Sequence, residues 1–181
     1  ILLTETFLVY GRHLAMGRID PSRTFYQWAP TRRQHNMPRA FSEAVEGGDI
    51  AGALRKLAPE HPGYGQMRNE LNTLRHIAAA GGWPAIPGTR LKRGNRSHRV
   101  PFLRERLILG GDLQNTDPKG DERVFDANLE AAVRQFQIRH GLPPTGMADT
   151  DTLNAMNVPA SERLRQMALN LERWRWLPDD F

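Results

Sequence analysis

The chain has 181 residues and a formal net charge of +5, with no cysteine and 39% hydrophobic residues, enough apolar material for one domain or two small ones. Its longest apolar run falls well short of the roughly 20 residues a membrane helix needs, and the missing thiols exclude a cysteine nucleophile or thiolate metal site within it. Nothing in it has the pattern of an intact signal peptide, and zero cysteine suits an oxidising compartment and the cytosol equally.

The elements read as helices throughout, so the expected class is all-α. A first helix spans 4–16, with Phe7, Leu8, Tyr10, Gly11 and Leu14 at helical spacing and Asp20-Pro21 beyond it. Short helices follow over 38–46 and 49–57, separated by Gly47-Gly48, the second capped by Asp49. A longer helix over 64–80 repeats Tyr64, Met67, Leu71, Leu74 and Ala78 in threes and fours, and Gly81-Gly82 ends it. The stretch 83–97, rich in glycine, proline and arginine, reads as a boundary.

Phe125, Leu129, Ala132, Val133 and Phe136 then form one apolar stripe, with Arg134, Gln135 and Arg139 on the other face. Asp126 suits the N-cap, and Gly141 the left-handed stop, so Leu142 folds back onto Phe136. Pro143 and Pro144 prevent resumption, Thr145-Gly146 turns the chain, and Asp149 caps a short helix that buries Leu153 and Met156. A last helix over 161–176 puts Leu164, Met167, Leu171 and Trp174 on one side, with Ser161 as its cap.

Leu129, Ala132, Val133, Phe136, Gln137, Gly141, Leu142, Gly146, Thr152, Ala155 and Met156 stand in the order and spacing of the peptidoglycan-binding domain type 1, which this region resembles. The resemblance implies a three-helix wall-binding module whose first helix is 100–109, with Val100, Leu103 and Leu107 facing inward. Arg104 stands where the family usually has glutamine, and the segment 110–123 is longer than the usual connection. Asn157-Val158-Pro159 and the run Asn170-Leu171-Glu172-Arg173-Trp174-Arg175-Trp176-Leu177-Pro178 resemble the junction by which large Gram-negative L,D-transpeptidases join this module to their catalytic domain. The segments Trp28-Ala29-Pro30-Thr31-Arg32-Arg33 and Gly82-Trp83-Pro84 resemble the helical scaffold preceding the module in those enzymes.

These resemblances imply a helical scaffold region over 1–90, a peptidoglycan-binding module over 91–158, and a helix over 159–181 leading to a catalytic domain that begins after Phe181. They imply a periplasmic, cell-wall-associated location, with peptidoglycan and that catalytic domain as partners. The expected role is binding and scaffolding in wall cross-linking, without covalent chemistry of its own and without a cofactor. The candidate ligand contacts are Arg104, Arg134, Gln137 and Arg139, over a floor of Phe136 and Leu142; Gln137 reads equally as a hydrogen bond closing the helix end.

Other constellations carry less. Arg90, Lys92, Arg93, Arg96, Arg99, Arg104 and Arg106 are opposed only by Glu105; they read as a solvated face or as an anion-facing patch, since guanidinium forks grip carboxylates and phosphates. A basic helical nucleic-acid-binding protein is the alternative function. Against it, residues 1–90 carry eleven basic and seven acidic side chains and 91–181 fourteen and thirteen, too even for phosphate-driven binding. The histidines include no pair at the one-turn spacing of a zinc helix, and 117–122 lacks the alternating oxygens of a calcium loop, so no metal is expected. Trp174 and Trp176, beside Arg173 and Arg175, read as a docking surface for the catalytic domain, and uncovered they would favour self-association.

Overall fold

A computed structural model describes residues 2–24, 33, 35–114 and 120–178. Among these the chain is all-helical, with nine helices and no strand longer than an isolated bridge. They are α1 (Leu2–Met16), α2 (Pro21–Thr24), α3 (Met37–Glu46), α4 (Ile50–Lys56), α5 (Pro62–Ala79), α6 (Val100–Leu109), α7 (Ala127–Arg139), α8 (Thr150–Met156) and α9 (Ala160–Trp174). Two compact units form: residues 1–73 with 164–181, and residues 74–163.

In the first unit α1 buries Phe7, Gly11 and Ala15. Gly11 is small for a reason: a Cβ there would stand 2.9 Å from Leu57 Cδ1. Tyr10, expected on the inner face, is 52% exposed, because the buried stripe runs through Ala15 instead. Asn36 caps α3 and Asp49 caps α4, each side chain accepting from a backbone N–H three residues on, Arg39 N and Gly52 N. Phe7 meets Phe41 edge-on, ring centroids 5.2 Å apart, in a core with Met37, Ala44 and Leu57.

A second core in this unit gathers Ala58, Tyr64, Leu71 and Leu171. Here the run 170–178 acts as an internal lock. Glu172, 8% exposed, accepts from the backbone N–H groups of Arg18 and Ile19, and Arg175 bridges it at 3.0 Å to the Tyr64 hydroxyl, also at 3.0 Å. Gly17, at φ +82°, leaves the space into which Glu172 and the Trp176 indole reach. Trp176 is 3% exposed, and Trp174 packs on the Leu171 core with its ring 4.7 Å from His61. Trp176 is therefore covered by its own unit, which corrects its reading as part of an open docking surface, while Trp174 stays half-buried. Ser161 also differs from expectation: α9 begins at Ala160, and Ser161 lies inside the first turn. Of the scaffold-like segments, 28–32 lies outside the described residues.

The second unit is built on α6, α7 and α8. Val100, Leu103, Leu107, Phe125, Leu129, Val133, Phe136 and Met156 are fully enclosed in one core, each contributing roughly 1.5–3 kcal/mol by leaving water. Asp126 and Asp149 cap α7 and α8 as their positions predict. At the end of α7 Gly141 takes φ +67°, and the Leu142 N–H reaches Gln137 O at 2.8 Å while the Gly141 N–H reaches Ile138 O at 3.1 Å, a Schellman closure. The end of α6 repeats it with Gly111, the Asp112 N–H bonding to Leu107 O at 2.8 Å. The stretch 83–97 is packed here rather than loose, because its apolar residues find the core. Ile86 and Leu91 are 1% and 2% exposed, Leu91 bridges Ala148, and Asn157 pairs its amide with both backbone groups of Ile86.

Candidate functional site

The four candidate residues divide into two turned inward and two on the surface. Gln137, on the last turn of α7, has no exposed area. Its amide nitrogen faces Met147 O at 2.8 Å, Thr152 Oγ1 at 3.0 Å and Thr145 Oγ1 at 3.2 Å, while its oxygen accepts the Gly146 N–H at 2.9 Å. The Thr152 hydroxyl in turn donates a hydrogen bond to Asp149 Oδ1, 2.7 Å away. One amide thereby fixes the 145–147 turn between α7 and α8, and every polar atom of it is used inside the protein.

Arg104, 9% exposed, is spent the same way. Its Nε donates to Glu122 O at 3.2 Å, and one terminal nitrogen donates to Val124 O at 2.9 Å and Asp126 Oδ2 at 2.5 Å. Burial opposes charge on Asp126, yet the Leu129 backbone N–H and the Arg104 guanidinium outweigh it and hold the carboxyl below its ordinary range. The cap of α7 is thus itself gripped by α6. Arginine at 104 therefore serves the fold.

Arg134 and Arg139 remain on the surface of α7. Arg134 donates to Glu130 at 2.8 Å, one turn earlier, and stays 45% exposed. Arg139 forks onto Asp112 at 2.5 and 3.1 Å and also donates to Gly110 O at 3.2 Å, joining the ends of α6 and α7. Beneath it Phe136 is fully buried, and the His140 ring lies flat on it with centroids 3.8 Å apart. Burial lowers the His140 pKa, the Phe136 carbonyl opposes that, and Arg139 and Arg163 lower it further. Leu142 packs on the same core from the edge.

Sequence reasoning placed Arg106 in a solvated or anion-facing cluster and passed over its burial: it is 2% exposed. Its guanidinium lies 3.7 Å from the Trp83 ring centre and donates from Nε to Met156 O at 2.9 Å, while one terminal nitrogen has no hydrogen-bond partner. Burial pushes its pKa down to about 10, which leaves it charged at neutral pH. Asp112 was passed over as well, although Gly110-Gly111-Asp112 after an apolar helix signals the same stop as His140-Gly141-Leu142. Among the described residues no group of three histidines or carboxylates could hold a metal ion, and no helix is long and apolar enough to cross a membrane.

This architecture is a small three-helix module stapled at its caps and glycine stops, and the comparisons give its class. Residues 99–156 match the family described as "Putative peptidoglycan binding domain". Residues 1–71 match the family described as "Scaffold domain". A search of the curated proteins found no match. The module match supports a peptidoglycan-binding role, non-catalytic in itself, and a cell-wall-associated location.

Proposed function

We propose that this chain is the wall-binding and scaffolding part of a periplasmic peptidoglycan L,D-transpeptidase, holding strands near a tethered catalytic domain that performs the cross-linking. The observation that carries the reading is the 99–156 match on a module that keeps Arg134 and Arg139 on its surface. The resemblance of 157–159 and 170–178 to the transpeptidase junction supports the parent enzyme. The absence of cysteine from the sequence leaves the bond-making thiol to that other domain. Binding per module is weak, since tethering turns the next encounter into an intramolecular one and raises local strand concentration. Arg104 and Gln137 act in this reading through the fold, and Arg134 and Arg139 as the contacts.

The test is co-sedimentation with purified sacculi, comparing wild type with the Arg134→Ala/Arg139→Ala double variant. Retention of wild type and loss in a folded double variant is the expected result. Failure of the folded wild type to sediment overturns the reading.

A further inference from the structure

Glu130 does more than pair with Arg134. Its carboxylate, 19% exposed, also takes Arg93 at 3.5 Å on its other oxygen, so two guanidinium groups from distant parts of the chain converge on one anion. Arg93 lies outside the residues of the peptidoglycan-binding match. The backbone that carries Arg93 and the side chain of Arg134 are each supported from below. Arg93 sits on a turn in which the Asn95 N–H returns to Lys92 O at 3.0 Å and Asn95 Oδ1 accepts the Lys92 N–H at 2.9 Å. That turn is pinned on one side by the Leu91–Ala148 bridge and on the other by Gly94 N to Phe125 O at 2.9 Å and Phe125 N to Asn95 O at 2.8 Å. Arg134 lies over Gly146, where a Cβ would stand 3.0 Å from its Nε and 3.1 Å from its Cζ. A side chain at 146 would displace the guanidinium; its absence is the cradle.

The charge does not balance at this face. Arg93 and Arg134 are 64% and 45% exposed, so donors not spent on Glu130 face water. Exposed Arg90 and Lys92 flank Leu91, and Asp149, close enough to feel Arg90, is the other carboxylate. Ordering two long side chains is a principal cost of gripping an anion, and here much of it is met before a ligand arrives.

We propose that Arg93 and Arg134 form a two-pronged seat for a free carboxylate of the peptidoglycan stem peptide, with Glu130 as the internal anion that gathers the prongs side by side. This deepens the wall-binding reading and rests on it. It puts the recognised chemistry on the peptide rather than on the uncharged glycan, and it brings the 90–95 turn into the binding surface.

The experiment is co-sedimentation on native sacculi and on sacculi whose carboxylates have been converted to amides, with wild type, Arg93→Gln, Arg134→Gln, Arg93→Lys and, as a control in the other unit, Arg68→Gln. Circular dichroism and thermal midpoint verify that each variant is folded. Expected are loss of wild-type retention on amidated sacculi and an apparent affinity on native sacculi weaker by about tenfold in each glutamine variant, the scale of one charge-assisted pair. Arg93→Lys falls between, since it keeps the charge without the fork, and Arg68→Gln matches wild type. Undiminished binding by Arg93→Gln or Arg134→Gln, or indifference to amidation, overturns the seat while the wall-binding reading stands. A folded wild type that ignores native sacculi overturns both.

Discussion

Replacing Gln137 by leucine keeps nearly the same volume but strands the buried Gly146 N–H and removes the amide donor from the Met147 carbonyl and the buried Thr152 hydroxyl. Orphaned buried groups cost roughly 1–3 kcal/mol each, so Gln137→Leu is expected to lower the module's unfolding free energy by about 3 kcal/mol, read by urea denaturation. A change below about 0.5 kcal/mol would mean that water replaces the amide without loss. His140 gives a pH-dependent counterpart. Its folded pKa is lowered from 6.5, chiefly by burial, so below that value the unfolded chain takes up the proton first and stability falls with falling pH. Well above pH 6.5 the imidazole is neutral in both states and the contribution is constant. Arg139 and Arg163 press in the same direction, while Asp112 and the Phe136 carbonyl oppose it. His140→Gln should therefore flatten the stability profile just below pH 6.5, well clear of the range in which Asp121, Asp126 and Asp149 titrate. A wild-type profile already flat there would sink the idea.

At the level of elements, glycine separates local requirement from packing. Gly141 and Gly146 both hold positive φ, +67° and +73°. A Cβ at 141 would meet nothing within 4 Å, whereas one at 146 would strike Glu130 Cγ at 2.8 Å and the Arg134 guanidinium. Gly141→Ala should cost only backbone strain, about 1 kcal/mol, and Gly146→Ala more, with Arg134 moved off its cradle. Equal losses in denaturant midpoint would contradict this. The same contrast explains what could be read in advance. Asp49, Asp126, Asp149 and Gly141 act on backbone within four residues, so their roles were written in local spacing. Helix α6 followed from the resemblance. Arg104, Gln137 and Trp176 take their meaning from residues such as Asp126, Met147 and Gly17, whose proximity only the fold creates. Part of the surface site was legible for the same reason: Arg134 falls on the outer face of α7 by periodicity, but Arg93 joins it only because Leu91 pairs with Ala148.

Across the whole molecule, the excess of +5 does not act as one field. Arg104 and Arg106 lie inside, and Arg96, Arg123 and Arg139 are matched to Asp121 or Asp112. The exposed side chains that can meet an anionic wall, ion-paired or not, include Arg90, Lys92, Arg93, Arg134 and Arg139. Exposed charges are screened as the Debye length contracts from about 10 Å at 0.1 M salt to about 3 Å at 1 M, while apolar cores are not. Retention on sacculi should therefore fall steeply between about 0.05 and 0.5 M sodium chloride, with little change in thermal midpoint. The dissociation between the two readouts matters more than either alone. Parallel loss would mean that salt unfolds the module through its inward arginines, and retention indifferent to salt would mean that an uncharged part of the wall is gripped. A comparably steep, salt-sensitive affinity for duplex DNA would instead favour the nucleic-acid reading, because phosphate offers the same guanidinium groups a denser line of charge than stem-peptide carboxylates do.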